Sequence, residues 1–280
     1  MLILSERAYR RSEAVLRLEE WLRDNLRKAS GGEAKVKLLA DGWIGVEADD
    51  ETLLASIIKL NTELNPIISS RPPIAARIAE VGREEIAYAY PGLDGLTRRG
   101  RCSISELMAQ LGLCGEPLDE VLEAAGLVEG SAISLTLDSP SSLQLDLLRE
   151  DVQRGLDRVL LIDLAPGEVE ELLSRPLVKN LIAYHRALTL LIHVIYIKLG
   201  ARLDKAFRKL SREAEKLFEN PTLKPLSWRK LIKALKPRWA GWELNPRPPP
   251  REGGVIPLDH RPVSLWELFF SRIYALPSSP

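Results

Sequence analysis

The residues able to do chemistry are few, and their spacing narrows what that chemistry is. Histidine occurs at His185, His193 and His260 only. An imidazole can act as a base, a proton carrier or a metal ligand, but no paired-histidine metal motif occurs. His185 and His193 fall on runs that read as adjacent strands and can face each other; a structural role for both is the preferred reading. The two cysteines, Cys102 and Cys114, fit neither a disulfide framework nor a four-cysteine zinc site and read as ordinary thiols. Asp157 and Asp163 flank the apolar run Val159–Ile162, where strand-end and turn roles are expected of them. A glycine-rich phosphate loop and a nucleophile elbow are also missing. No catalytic residue, cofactor or metal is therefore assigned, and the chain reads as non-enzymatic.

The positive signal is the placement of charge. Lys+Arg and Asp+Glu are both 39, so the net charge is zero. Yet Lys198–Arg238 holds 13 Lys/Arg against 4 acidic residues, a local excess of 9 that the rest of the chain offsets. Within it Arg202, Lys205, Lys209, Arg212 and Lys216 recur at intervals of three and four, which lines them along one helix face. Leu203, Phe207, Leu210, Ala214 and Leu217 form an adjacent apolar face able to pack on a sheet. A helix so held offers a basic stripe, continued by Lys198, to phosphates. A solvated charged face is the bland alternative; the local excess, with Trp228 as a candidate stacking group, brings the two readings close to even. A second cluster, Arg98, Arg99 and Arg101, is placed on a surface loop suited to RNA backbone contacts.

The elements that must position these groups follow from hydrophobic period and turn chemistry. Residues 1–66 read as strand, helix, strand, strand, helix. Leu2–Leu4 opens a strand, and Ser12 caps a helix with Val15, Leu18, Leu22 and Leu26 inward, ended by Gly31-Gly32. Lys35–Leu39 and Trp43–Glu47 pair through an Asp41-Gly42 hairpin. Asp49 or Asp50 caps a second helix that Asn65-Pro66 breaks. This βαββα order predicts a ferredoxin-like unit. Residues 67–140 predict a small β module, barrel-like in the manner of oligonucleotide-binding (OB or S1-like) folds. Its strands are Ile74–Val81, Glu85–Tyr90 and Ser131–Leu137, and its short helices Ser103–Leu111 and Pro117–Ala125.

Residues 141–219 predict a second ferredoxin-like unit behind a lead-in helix, Leu143–Gln153. Its strands are Val159–Leu164, Leu181–Tyr184 and Leu190–Lys198, and its helices Glu168–Ser174 and Ala201–Phe218. Pro166 suits a first helical turn, and Glu168, Glu170 and Glu171 sit where the dipole favours negative charge. Residues 220–238 read as a basic extension. The fold class expected is thus α+β, two ferredoxin-like βαββα units flanking a small barrel-like module. Leu181–Leu199 is interrupted by His185, Arg186, His193 and Lys198, so buried strands are expected there rather than a membrane span. The N-terminal apolar run is too short for a signal-peptide core. A cytoplasmic protein follows, and scarce glutamine beside 28% charged residues suggests a thermophile.

The segments Gly155–Leu173 and Leu191–Gly200, with the middle region around Ala76–Tyr88 and Ile104–Leu113, resemble the uncharacterised archaeal family called domain of unknown function 2110. The likeness covers most of residues 1–218. Of that family's glutamate-histidine pair and lysine-leucine-glycine-threonine run, this chain keeps His193 and Lys198-Leu199-Gly200 and departs at Ile192, Ile197 and Ala201. The resemblance implies an archaeal source and carries no activity.

Residues 239–280 read as a segment of different origin. Trp239–Pro262 reads like the antisense translation of a transfer-RNA gene. Leu244-Asn245 written as TTG-AAC gives GTTCAA on the other strand, a T-loop core. Val255–Pro262 can be written so that its complement is an acceptor strand leading into a D-arm, and Trp239-Ala240-Gly241 so that its complement pairs with that acceptor. A read-through tail is the expectation, ranked above a proline-rich binding arm built on Asn245–Pro250. The sequence as a whole predicts a non-enzymatic protein binding RNA or a ribonucleoprotein, in translation or RNA metabolism. Its site would be Lys198, Arg202, Lys205, Lys209, Arg212, Lys216, Arg98, Arg99 and Arg101. The alternatives are a ligand-sensing regulator built on the paired units, or a protein–protein scaffold.

Overall fold

The computed structural model describes residues 1–7, 11–70, 73–106, 119–136, 139–141 and 156–227, all within one compact unit, Met1–Arg238. The fold mixes helices with three antiparallel sheets. The lead-in helix expected at 143–153, Cys114, Trp228, the cations from Arg229 to Arg238 and the tail lie outside the described residues.

The first sheet comes from β1 (Leu2–Arg7), α1 (Ser12–Ser30), β2 (Ala34–Leu38), β3 (Trp43–Ala48) and α2 (Glu51–Leu60), with strand order β1-β3-β2. Ala14, Val15, Leu18, Leu22 and Leu26 of α1 share one face and are buried on the sheet with Leu4, Ile44 and Val46. Gly31 ends α1 in the left-handed region, φ 74°, its N–H bonded to the Arg27 carbonyl. Asp50 caps α2, accepting the Leu53 N–H at 2.9 Å. Ser12 is not the cap of α1. Arg11 holds that position without a side-chain cap bond, since a guanidinium has no acceptor to offer the first N–H groups, and it donates instead to Glu168. After α2 the chain returns along β1, with Leu4 bridged antiparallel to Ile67 and the Ile68 N–H bonded to the Ile3 carbonyl.

The middle sheet holds β4 (Ile74–Val81), β5 (Glu85–Pro91), β6 (Thr97–Ser103), β7 (Ala132–Thr136) and β8 (Ser139–Ser141), with α3 (Asp119–Ala124) between β6 and β7. Its order is β6-β5-β4-β7-β8, and among the described residues nothing joins β6 to β8, so the expected barrel is not closed. The reason lies in burial. A small barrel fills its interior with its own inward side chains. Here Ala76, Ile78, Ile86 and Tyr88 pack with Ile104, Leu122 and Leu127 on one face, while Ala75 and Ala132 pack on the third sheet. A sheet that serves neighbours on both faces stays open.

The third sheet is built from β9 (Arg158–Ile162), α4 (Pro166–Ser174), α5 (Pro176–Lys179), β10 (Ile182–Ala187), β11 (Ile192–Ile197), α6 (Leu203–Leu217) and β12 (Thr222–Leu226), in the order β10-β11-β9-β12. Its central strands read as unbroken apolar runs because both faces are covered. Val159, Leu161, Ile195 and Ile197 lie under the helices, and Leu160, Ile162, Val194 and Tyr196 face the middle sheet. The expected basic extension therefore begins with a strand. β12 carries Lys224 and Pro225, which hide it from pattern reading, and it sits at an edge of the sheet, where proline is tolerated. Among the described residues, no helix is long and apolar enough to cross a membrane.

Candidate nucleic-acid interface

Helix α6 is pinned by its apolar face. Ala206, Leu210, Ala214 and the following Phe218 are buried, with Leu203, Phe207 and Leu217 packed beside them against Val159, Leu161, Ile195 and Val169. Each large buried side chain contributes roughly 1.5–3 kcal/mol, so the helix has one fixed orientation. That orientation turns Arg202, Lys205, Lys209, Arg212 and Lys216 outward, and all five are exposed, as is Lys198 before the helix. At about 100° per residue the five fall within an arc of roughly 80°. Two of them are already paired: Arg202 with Asp204 at 2.7 Å and Lys216 with the largely buried Glu213 at 2.5 Å. Asp204 is held below the usual carboxylate range, first by its own backbone N–H and then by Arg202. Among the described residues Lys205, Lys209 and Arg212 make no ion pair, so no direct partner neutralises the middle of the stripe.

The second basic group is not on a loop. Arg98, Arg99 and Arg101 lie on β6, an edge strand, and strand alternation divides them. Arg98 shares a face with Gly100 and Cys102; Arg99 and Arg101 share the other. Arg98 is paired with Asp94 at 2.8 Å and Arg101 with Glu85 at 3.3 Å. Gly100 is required where it stands, since a Cβ there would lie 2.4 Å from the Tyr88 ring that covers it. The Cys102 thiol, buried below, is pushed up to about 11 by desolvation. The three arginines thus form no single patch, and they sit on a different sheet from α6. The interface rests on α6 alone.

Of the remaining candidates, His193 and Asp163 turn out to be internal, while His185 is exposed. His193 is buried, and its Nε2 lies 3.0 Å from the Leu164 carbonyl and 3.2 Å from the Leu190 carbonyl, so that nitrogen carries the proton and donates. Burial pushes its pKa down to about 4, and the imidazole stays neutral. His185 is its tilted neighbour at 6.4 Å between ring centres. Asp163 turns the chain out of β9 with φ 60°, the strand-end role expected of it.

Two buried ion pairs were invisible in the sequence. Arg11 meets Glu168 through two bonds, 2.8 and 3.2 Å, and donates to the Asp163 carbonyl at 2.9 Å. Glu168 also accepts the Ala165 N–H at 2.9 Å, the helix-end role expected of it, here combined with a buried ion pair. Glu6 of β1 meets Arg77 of β4, with both side chains fully buried. Arg77 also donates to the Ser5 and Gly130 carbonyls at 3.2 and 3.0 Å, and Glu6 accepts the Leu190 N–H at 2.6 Å. Residues from all three sheet regions thus meet at one charged junction. Among the described residues no cluster of His, Cys, Asp and Glu could hold a metal ion.

No family model, curated protein or solved structure matches the chain. The assignment below therefore stands on the site's own chemistry.

Proposed function

We propose that this is a non-enzymatic, cytoplasmic nucleic-acid-binding protein, RNA being its ligand, which works in translation or RNA metabolism through the basic face of α6. The observation that carries the reading is the row Lys205, Lys209 and Arg212, exposed and without ion pairs among the described residues, on a helix whose other face is locked into the core. Fixed cations at helical spacing contact phosphate oxygens and release counterions, which yields binding with little sequence preference. The strand orders β1-β3-β2 and β10-β11-β9-β12 support reading both outer sheets as ferredoxin-like. The chain's likeness to an archaeal family is part of the same proposal.

The test is binding of the full chain to random-sequence RNA across a salt series. With three to five phosphates contacted, the slope of log K against log salt should be about −2 to −3.5 for a single strand and about −3 to −4.5 for a duplex. Undetectable binding at low salt refutes the proposal. A second reading, a ligand-sensing regulator, draws on the same pair of strand orders; a metabolite-dependent thermal shift in a dimer would favour it.

A further inference from the structure

We infer that the nucleic acid bound by α6 is a duplex held along its phosphates, not a single strand held by its bases; this rests on the nucleic-acid reading above. A single strand is gripped by stacking its bases on exposed aromatic rings, alongside cations that track the backbone. Among the described residues, which do not include Trp228, the structure offers the cations without a fully exposed ring beside them. Sheets of this strand order can present an open face to bases, but here the helix-free face of the third sheet is covered. Leu160, Ile162 and Val194 pack there against Ala75, Val128 and Ala132 of the middle region. The aromatic residues on that face are used internally, Tyr196 being 1% exposed and stacked on Tyr184 at 4.1 Å. The large apolar side chains exposed among the described residues are Met1 and seven leucines, none of them aromatic.

The stripe also has the wrong rigidity for a flexible strand and the right one for a preformed backbone. From Arg202 to Lys216 it rises roughly 21 Å along a helix whose opposite face is buried, with successive cations about 4.5 or 6 Å apart. A single strand must be ordered to match such a row, at an entropic cost, whereas a duplex arrives with its phosphates already arrayed. Asp204 and Glu215, both exposed, lie about 60–80° around the helix from the Arg212 edge of the stripe, with Asp204 paired to Arg202, and they limit the contact to a narrow line of phosphates. Backbone contact of this kind does not separate duplex RNA from duplex DNA, so both are expected to bind.

The experiment measures anisotropy of three labelled probes with the full chain at low salt: an RNA duplex of about 20 base pairs, long enough to present two successive minor grooves, the same DNA duplex, and an unstructured RNA strand of that length. Duplex probes are expected to bind about tenfold tighter or more than the strand, a difference of about 1.4 kcal/mol. The variant K205E/K209E/R212E should lose duplex binding, and the milder K205Q/K209Q/R212Q should weaken it while melting like the parent. A reversal of equal charge elsewhere, R23E/K28E/K59E, should keep the preference for duplex. Single-strand binding as tight as duplex binding overturns this inference and leaves the nucleic-acid reading standing. Duplex binding that survives K205E/K209E/R212E overturns the site, and no binding to any probe overturns the reading itself.

Discussion

Replacing Arg77 with methionine tests whether the charged junction holds the sheets together. Methionine keeps most of the volume but removes the cation and its donors. Glu6, fully buried, loses its ion partner, and the Ser5 and Gly130 carbonyls lose donors at 3.2 and 3.0 Å. Breaking one side of a buried pair costs about 3–5 kcal/mol, because a charge is left in low dielectric. For a unit of this size each kcal/mol lowers the melting temperature by about 2–4 °C, so Arg77→Met should melt roughly 6–20 °C lower. The assay is urea unfolding of the full chain followed by circular dichroism, with a thermal melt alongside. The double variant E6Q/R77M removes both charges while leaving an acceptor for the Leu190 N–H, and it should recover roughly half the loss or more. If Arg77→Met unfolds within about 1 kcal/mol of the parent, or the double variant is no better than the single, the junction is not what couples the sheets.

Three further outcomes follow. His193 is held neutral, with its pKa near 4 in the fold against 6.5 when exposed. The unfolded chain therefore binds the extra proton between those values, and stability should fall as pH drops from 6.5 toward 4, by about 3 kcal/mol in all. His193→Gln, which keeps a donor for the two carbonyls, should flatten that slope; an unchanged slope assigns it to other groups. Gly100→Ala should destabilise by about 1–3 kcal/mol in urea, since its Cβ would meet the packed Tyr88 ring, and a neutral result would place that ring elsewhere. Sequencing the gene should reveal a transfer-RNA cloverleaf on the strand opposite Trp239–Pro262; without one, those residues are an ordinary proline-rich arm.

What could be read from the sequence was whatever depends on neighbours a few residues apart. The helical spacing of Leu18, Leu22 and Leu26, the glycine stop at Gly31 and the Asp50 cap are local, and each occurs where expected. So is the α6 stripe, whose exposure follows once Leu210 and Ala214 are seen to be core. The arginines of β6 misled because glycine and arginine look like a loop. Only the pairing of Tyr88 opposite Gly100, across the hairpin, makes that stretch a strand. Glu168 shows the limit most clearly. Its local role was legible, since it does accept the Ala165 N–H near the start of α4, but its ion partner lies 157 positions away.

That distance bears on function as well as on legibility. Arg11 stands at the start of α1, yet its guanidinium reaches Glu168 and the turn at Asp163, while Glu6, four strand residues beyond the start of the chain's first element, accepts the Leu190 N–H from the β10–β11 turn. The first helix-bearing sheet is thereby tied at two points to the sheet that carries α6. Arg77 adds the middle sheet to the same junction. The spacing along the stripe is set within α6 itself; what the cross-links add is a fixed seat for that helix on the rest of the body. If α6 binds phosphates as proposed, the buried pairs bear on that contact only through the stability of the body that carries the helix. Loosening them with Arg77→Met should therefore lower the melting temperature while leaving the preference for duplex over single strand unchanged in the folded protein. A preference lost along with stability, read by the same three anisotropy probes, would show that the stripe is not set by α6 alone.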